Sequence, residues 1–250
     1  MVELGRVDIG VEVSQLSSFL VYPRKGHLEA ALHIMSYLRV KHNSRLVLDP
    51  TYAEIDYDAE FNVDADWHAF YGDVVEVLPP NAPEPLGKEV ELRMFVDSNY
   101  AGDKATRQSR TGCMIFINMS MIDWLTKKQA TVEVAVFGAE FVAMKHSIEA
   151  LRRIHYKLRM MGVAVAGPTY IYGDNMSVVN NTSKPGSVLR KKSNSVCYHF
   201  ICEAVAMKEC LTTHVPTLRN FAGLLTKCLS GKKRRDLVRG VLFDIYDYNE

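Results

Sequence analysis

Met94-Phe95-Val96-Asp97-Ser98-Asn99-Tyr100-Ala101-Gly102-Asp103 reads as a buried strand that ends by presenting a carboxylate. Val90, Leu92, Met94 and Val96 alternate with more polar neighbours, the period of a strand. Asp97 stands where the alternation stops, and Asn99, Ala101-Gly102 and Asp103 turn the chain. A carboxylate at a strand tip is costly unless it is solvated, paired or bound to metal. The surrounding sequence has to supply its partners.

Downstream, residues 112–117 read as a second strand and 121–125 as a third, joined as a hairpin through Asn118-Met119-Ser120. A long helix fits residues 134–160, where Phe137, Phe141, Met144, Ile148 and Leu151 recur at helical spacing. Residues 168–174 form a fourth strand that again ends in Asp, followed by a short helix from Asn175. Residues 195–209 read as helix, 211–215 as a fifth strand and 220–229 as a last helix. Three hairpin-linked strands followed by αβ units predict an α/β fold, a mixed five-stranded sheet with helices on its faces.

In such a sheet the first and fourth strands can be neighbours, so Asp97 and Asp174 can meet, and the long helix can bring Glu140 above them. Carboxylates that converge without a matching cation repel, and hard divalent ions resolve the repulsion. Taken singly, each acid has a plainer reading: Asp97 as a turn residue, Asp174-Asn175 as a helix cap, Glu140 as a helical surface acid. Asp97, Asp174 and Glu209 also have a spacing that suits a transposase- or integrase-type triad, although Glu209 falls at the end of a helix.

Upstream, helical stripes fit residues 8–22 (Ile9, Val13, Leu16, Leu20) and 27–40 (Leu28, Ala31, Leu32, Met35, Leu38), with a short strand at 45–48. These elements make too small a core to fold alone and should dock on something else. Residues 51–89 read as an acidic, Pro-rich linker or insertion, in which Asp66-Trp67-His68-Ala69-Phe70-Tyr71 can form a short docked helix.

Net charge is +1, but between Leu46 and Gly87 there are ten Asp or Glu and no Lys or Arg. Basic clusters follow at Lys127-Lys128, Arg190-Lys191-Lys192 and Lys232-Lys233-Arg234-Arg235. They suit nucleic-acid phosphates or simply a solvated surface. No apolar run approaches the roughly 18 residues of a membrane span, and the N-terminus has no signal-peptide core. Five cysteines without CxxC spacing suggest reduced, intracellular thiols. Cys197, His199, Cys202 and Cys210 match no common zinc spacing and read as part of a helix.

Several blocks together carry a family resemblance. They are Val96-Asp97-Ser98-Asn99-Tyr100-Ala101-Gly102-Asp103 with Arg107, Ser109, Thr111 and Gly112; Asp123-Trp124 through Gln129; and Gly138-Ala139-Glu140-Phe141-Val142-Ala143. Then come Tyr172-Gly173-Asp174-Asn175, Tyr198-His199-Phe200, and His214-Val215-Pro216-Thr217 with Leu225-Thr226-Lys227. In this order they resemble the RNase H domain of copia-type (Pseudoviridae-like) LTR-retrotransposon Pol polyproteins. Residues 6–48 resemble the end of the preceding reverse transcriptase region.

The resemblance implies an RNase H-like fold behind a small helical reverse-transcriptase remnant. Its expected divisions are 1–50 (remnant), 51–89 (insertion), 90–229 (RNase H-like domain) and 230–250 (basic tail). It implies a ribonuclease that cuts the RNA strand of an RNA–DNA hybrid, with Asp97, Glu140 and Asp174 as catalytic metal ligands. Asp97 would bridge two Mg²⁺ (or Mn²⁺) ions. Expected hybrid contacts are Asn99, Lys127, Lys128, Asn175, Ser177, Arg190, Lys191 and Lys192, with His214 as an auxiliary group and His199 as a weaker one. The polymerase part of a reverse transcriptase is a second expected partner, and no membrane is. The polymerase's own carboxylates are absent, so no polymerase activity is expected. The family places a fourth acid in its Ala-Asp-x-Leu-Thr-Lys block, where this chain has Gly223, and usually a Glu where it has Gly138. Gly223 should impair the site, and it leaves open a decayed or co-opted module that binds hybrid or protein without cleavage.

Overall fold

The computed structural model describes residue 2, residues 5–189 and residues 191–243. Five strands form one sheet: β1 (Leu86–Asn99), β2 (Arg110–Ile117), β3 (Ser120–Lys128), β4 (Val163–Gly173) and β5 (Cys210–His214). Their order is β3-β2-β1-β4-β5. β1, β2 and β3 run antiparallel, whereas β4 lies parallel to β1 and β5 parallel to β4. This is the mixed RNase H-like sheet that was expected, and β1 and β4 are neighbours, with Val96 opposite Gly173.

Both faces of β1 are covered. Leu92, Met94 and Val96 are buried, but so are Arg93, Phe95 and Asp97 between and beyond them. The long helix α5 (Val136–Met160) packs on β1, β2 and β4. On Phe95 lie Phe221 at 4.9 Å, Tyr172 at 5.0 Å and Phe116 at 5.6 Å between ring centroids. Phe221 begins a 3₁₀ turn, Phe221–Leu225, where an α-helix over 220–229 was expected. Gly223 disfavours α-helix, and the Asn220 side chain caps the turn at Ala222 N while its Nδ2 donates to Val96 O at 2.8 Å. The turn lies so close on β2 that a Cβ at Gly112 would come within 2.8 Å of Ala222 O, so that position has room only for glycine.

The N-terminal helices α1 (Gly10–Ser17) and α2 (Lys25–Val40) share a small cluster of Ile9, Ile34 and Leu38. They dock on the sheet and the C-terminal end, as a core too small to stand alone must. Ser14 Oγ donates to Thr126 O at 3.4 Å, and Arg234 Nη1 donates to Glu12 Oε1 at 2.5 Å and lies 4.8 Å from the Tyr37 ring centroid. The predicted stripe of α2 is corrected: Leu28, Leu32 and Met35 are exposed, because α2 packs through Ile34, Tyr37 and Leu38. The predicted strand at 45–48 is a single bridge, Arg45 with Phe243.

Where the acidic stretch suggested a linker, the chain makes extensive contacts. Phe61 and Trp67 are buried in the main core. Tyr57, in α3 (Tyr57–Glu60), stacks on Tyr170 with centroids 3.7 Å apart, and Phe61 meets Tyr172 edge-on. The short docked helix α4 (His68–Tyr71) forms as expected, and Tyr71 Oη pairs with His199 Nδ1 at 2.9 Å in α7 (Ser195–Ala206). Glu76 takes a bidentate pair from Arg159 on α5, with Nη2 2.6 Å from Oε2.

Burial opposes the charge of Glu76, but His155 at 3.6 Å and Arg159 outweigh it and lower its pKa from 4.5 to about 2. A depressed carboxyl pKa adds stability above the unfolded value that is lost as pH falls through the folded one. Glu76→Gln is therefore expected to cost about 1 kcal/mol at pH 7 in this partly exposed pair. Urea titrations should show the difference shrinking between pH 4.5 and about 2; a constant difference would assign it to packing instead.

Candidate metal centre

Asp97 lies in the buried last part of β1, Asp174 follows β4 directly, and Glu140 lies in the first turns of α5. Parallel pairing of β1 with β4 sets the two aspartates side by side at one sheet end. Gln129, buried at the end of β3, fixes the helix there. Its Nε2 donates to Ala139 O at 2.9 Å and to Thr111 Oγ1 at 3.1 Å, tying the residue before Glu140 to β2. One ligand oxygen from each of Asp97, Glu140 and Asp174 lies within 4.8 Å of the others. Among the described residues this is the only group of three or more His, Cys, Asp or Glu side chains able to hold a metal ion.

Asp97 and Glu140 are buried and Asp174 is partly open. Burial raises the pKa of Asp97; Lys227 opposes the shift and Asp174 adds to it. Burial, then the charges of Asp97 and Asp174, hold Glu140 well above its ordinary 4.5. Asp174 does not cap the helix that follows: Asn175 Oδ1 accepts from Ser177 N at 3.1 Å and Val178 N at 3.2 Å and caps α6 (Met176–Ser183).

Two residues absent from the predicted site touch it. Thr226 Oγ1 donates to Asp97 Oδ2, and Lys227 Nζ lies 2.8 Å from Asp97 Oδ1. Burial favours the neutral amine of Lys227, but Asp97, with Asp174 and Glu140, outweighs it and raises its pKa. Their signal was the Leu225-Thr226-Lys227 block itself. Gly223, in the same turn, is buried, and a Cβ there would meet no atom within 4 Å.

The remaining expected residues scatter. Lys127, Lys192 and Ser177 are exposed and Lys191 is partly so. Lys128 is paired to Asp103 at 3.2 Å. Asn99 lines a cavity of about 320 Å³ with Gln15, Phe19 and Lys128. His214 ends β5 beside Gly173 and lines a cavity of about 510 Å³ with Arg93, Tyr172 and Arg219. Arg190 lies outside the described residues. Glu209, the third acid of the transposase-type spacing, is held by Arg152 Nε at 2.8 Å. All five cysteines are free thiols, and no helix among the described residues is long and apolar enough to cross a membrane.

Two carboxyls with raised pKa values bind protons more readily in the folded chain than in the unfolded one. Stability is then greatest below the unfolded carboxyl value and falls as pH rises past it. In a chelator, the melting temperature is expected to drop between pH 5 and pH 8. Glu140→Gln should flatten that slope and add about 1–3 kcal/mol at pH 8. A wild-type profile level across this range would contradict the repulsion.

No protein-family model matches the chain. Among curated proteins it is similar to the retrovirus-related Pol polyprotein from transposon RE1 of Arabidopsis thaliana, 26% identical over 225 residues, which is 90% of this chain and 13% of that protein. It is likewise similar to the polyprotein from transposon TNT 1-94 of Nicotiana tabacum, 25% identical over 228 residues, 91% of this chain and 14% of that one. The chain thus spans about a seventh of the length of these two relatives. Among solved structures it is similar to the N-terminal RNase H domain of a Mycobacterium tuberculosis protein, with TM-score 0.43 and 13% identity over 60% of this chain and 98% of that one. LC11-RNase H1 in complex with RNA/DNA hybrid gives TM-score 0.43 and 16% identity over 54% and 94%. By its motifs and its curated relatives, the chain is similar to part of the retrovirus-related Pol polyproteins of copia-type plant transposons.

Proposed function

We infer that this chain is an RNase H-type nuclease module that hydrolyses the RNA strand of an RNA–DNA hybrid with a divalent metal cofactor. The observation that carries the reading is the convergence of Asp97, Glu140 and Asp174 within 4.8 Å. The donor set fits such a cofactor: it offers three hard oxygen ligands, two of them on carboxyls whose pKa values burial and neighbouring charge raise, and oxygen-only sets suit Mg²⁺ or Mn²⁺. Asp97, Glu140 and Asp174 would hold the metal, up to the two ions that the resemblance implies. Bound there, a divalent ion supplies Lewis acidity toward water and the phosphodiester.

The chain's own groups do the rest. Thr226 and Lys227 hold the Asp97 carboxylate in one orientation, and Gln129 fixes the backbone beside Glu140. Lys127, Lys191 and Lys192 supply cations for phosphates, with Arg190 in the same basic run. Lys128 acts only by leaving Asp103. Asn99, Ser177 and the free amide end of Asn175 serve as donors to sugar and backbone oxygens, the contacts by which RNA is told from DNA. Cleavage would leave a 5′-phosphate and a 3′-hydroxyl. Residues 90–229 form this module, with 1–50, 51–89 and 230–250 as its additions, and the polymerase part of a longer polyprotein is its expected neighbour.

A second reading has its own observation. Gly223 offers no side chain where the resemblance expects a fourth acid, which favours a module that binds hybrid without cutting it.

Cleavage of a labelled RNA–DNA hybrid in Mg²⁺ and in Mn²⁺ separates the two. The wild type is expected to cut weakly, Asp97→Asn to lose at least about 100-fold, and Gly223→Asp to gain about 10–100-fold. Cleavage by Gly223→Asp alone would make this chain a decayed enzyme. Hybrid binding with no cleavage by either protein would leave the binding module as the reading.

A further inference from the structure

The carboxylate cluster already holds a cation. Lys227 Nζ lies 2.8 Å from Asp97 Oδ1, and Thr226 Oγ1 donates to Oδ2, so both oxygens of this buried carboxylate have protein partners. Lys227 is held in place from its backbone: its N–H donates to Gly223 O at 3.2 Å, which sets the lysine one turn from the residue that lacks a side chain.

Charge balance then limits what else can bind. With all three carboxyls ionised, as metal ligation requires, they and the ammonium carry a net charge of −2, the amount one divalent ion neutralises. A second divalent ion would leave the buried site at +2, with no acid at position 223 to offset it. A two-ion site places its metals about 3.5–4 Å apart, with carboxylates between them to screen their repulsion. Here one oxygen of Asp97 already faces an ammonium, and the other accepts from Thr226.

We propose that Lys227 is the built-in cation of this site and takes the place of a second metal, so that the chain binds one divalent ion rather than two. The proposal rests on reading the cluster as a metal site. Lys227 is in this sense a positioning residue: it fixes the ion count and the orientation of Asp97. It also competes with the metal for that carboxylate.

Counting Mn²⁺ on the full chain tests this without turnover, by isothermal titration and by the paramagnetic resonance signal of free Mn²⁺. Wild type and Lys227→Arg, which keeps the charge, are expected to bind one ion. Lys227→Met should bind Mn²⁺ about tenfold more tightly, because no ammonium competes for Asp97 or repels the ion. The double variant Gly223→Asp with Lys227→Met should bind two. Circular dichroism checks that each variant folds, and Lys227→Gln repeats the measurement with a polar side chain. Two ions on the wild type, or unchanged or weaker binding in both neutral variants, would overturn the role of Lys227 and leave the metal reading intact. If no protein in the series binds Mn²⁺, the metal reading fails and the proposal fails with it.

Discussion

Three carboxylates held within 4.8 Å of one another are the constraint around which this fold is arranged. Each would be more stable apart and in water, and two are buried. Rigid elements keep them together. Asp97 and Asp174 are fixed by parallel pairing of their strands, the longest-range contact of the sheet. Glu140 is fixed by α5, whose first turn is tied to β2 through Gln129. Asn220 adds a third restraint, since its amide bonds the Val96 carbonyl immediately before Asp97. None of these restraints needs the carboxylates. The sheet would pair and the helix would pack with neutral residues in their places, so the acids are a burden on stability that packing gives no reason to bear.

The plain structural readings of the three acids also fail one by one. A cap was available for Asp174, but Asn175 makes it. A turn was available for Asp97, but its carboxylate points to Thr226 and Lys227, and Asp103 caps the turn by accepting from Ala105 N and Thr106 N. A solvated helix face was available for Glu140, yet it is buried. Asp97 gains partners in return, from Thr226 and Lys227, and the uncompensated cost at Glu140 is the observation that favours a metal reading of the cluster.

The sheet was legible because alternation and turn residues mark strands locally: Val96 to Asp97 and Tyr172 to Asp174 each place an acid after a run of apolar residues. The site was legible for the same reason. What misled were features decided by long-range packing. On α2 the apolar residues lie on more than one side of the helix, and only the position of α1 and α8 (Gly231–Val238) selects Ile34, Tyr37 and Leu38 over Leu28, Leu32 and Met35. Composition marked 51–89 as a linker or insertion because acids and prolines together outnumber aromatics there. Yet Tyr57, Phe61 and Trp67 are enough to seat it against Tyr170, Tyr172 and α7. Lys227 was visible as a motif residue but not as a partner, since 130 positions separate it from Asp97.

That acidic segment also bears on where a polyanion could lie. Tyr57 and Phe61 seat it on Tyr170 and Tyr172 of β4, Trp67 joins the main core, and Glu76 reaches the far end of α5 through Arg159. Like charge repels a nucleic acid within a Debye length of about 8–10 Å. On the proposed reading, a hybrid would therefore be disfavoured along that side and favoured along the edge carrying Lys127. The sheet end that holds Asp97 and Asp174 lies beyond the seated aromatic segment, because Tyr170 and Tyr172 precede Asp174 along β4. At that end the only cation bonded to the three carboxylates among the described residues is Lys227, partly exposed, so a phosphate backbone on the proposed reading needs the bound metal's charge to approach.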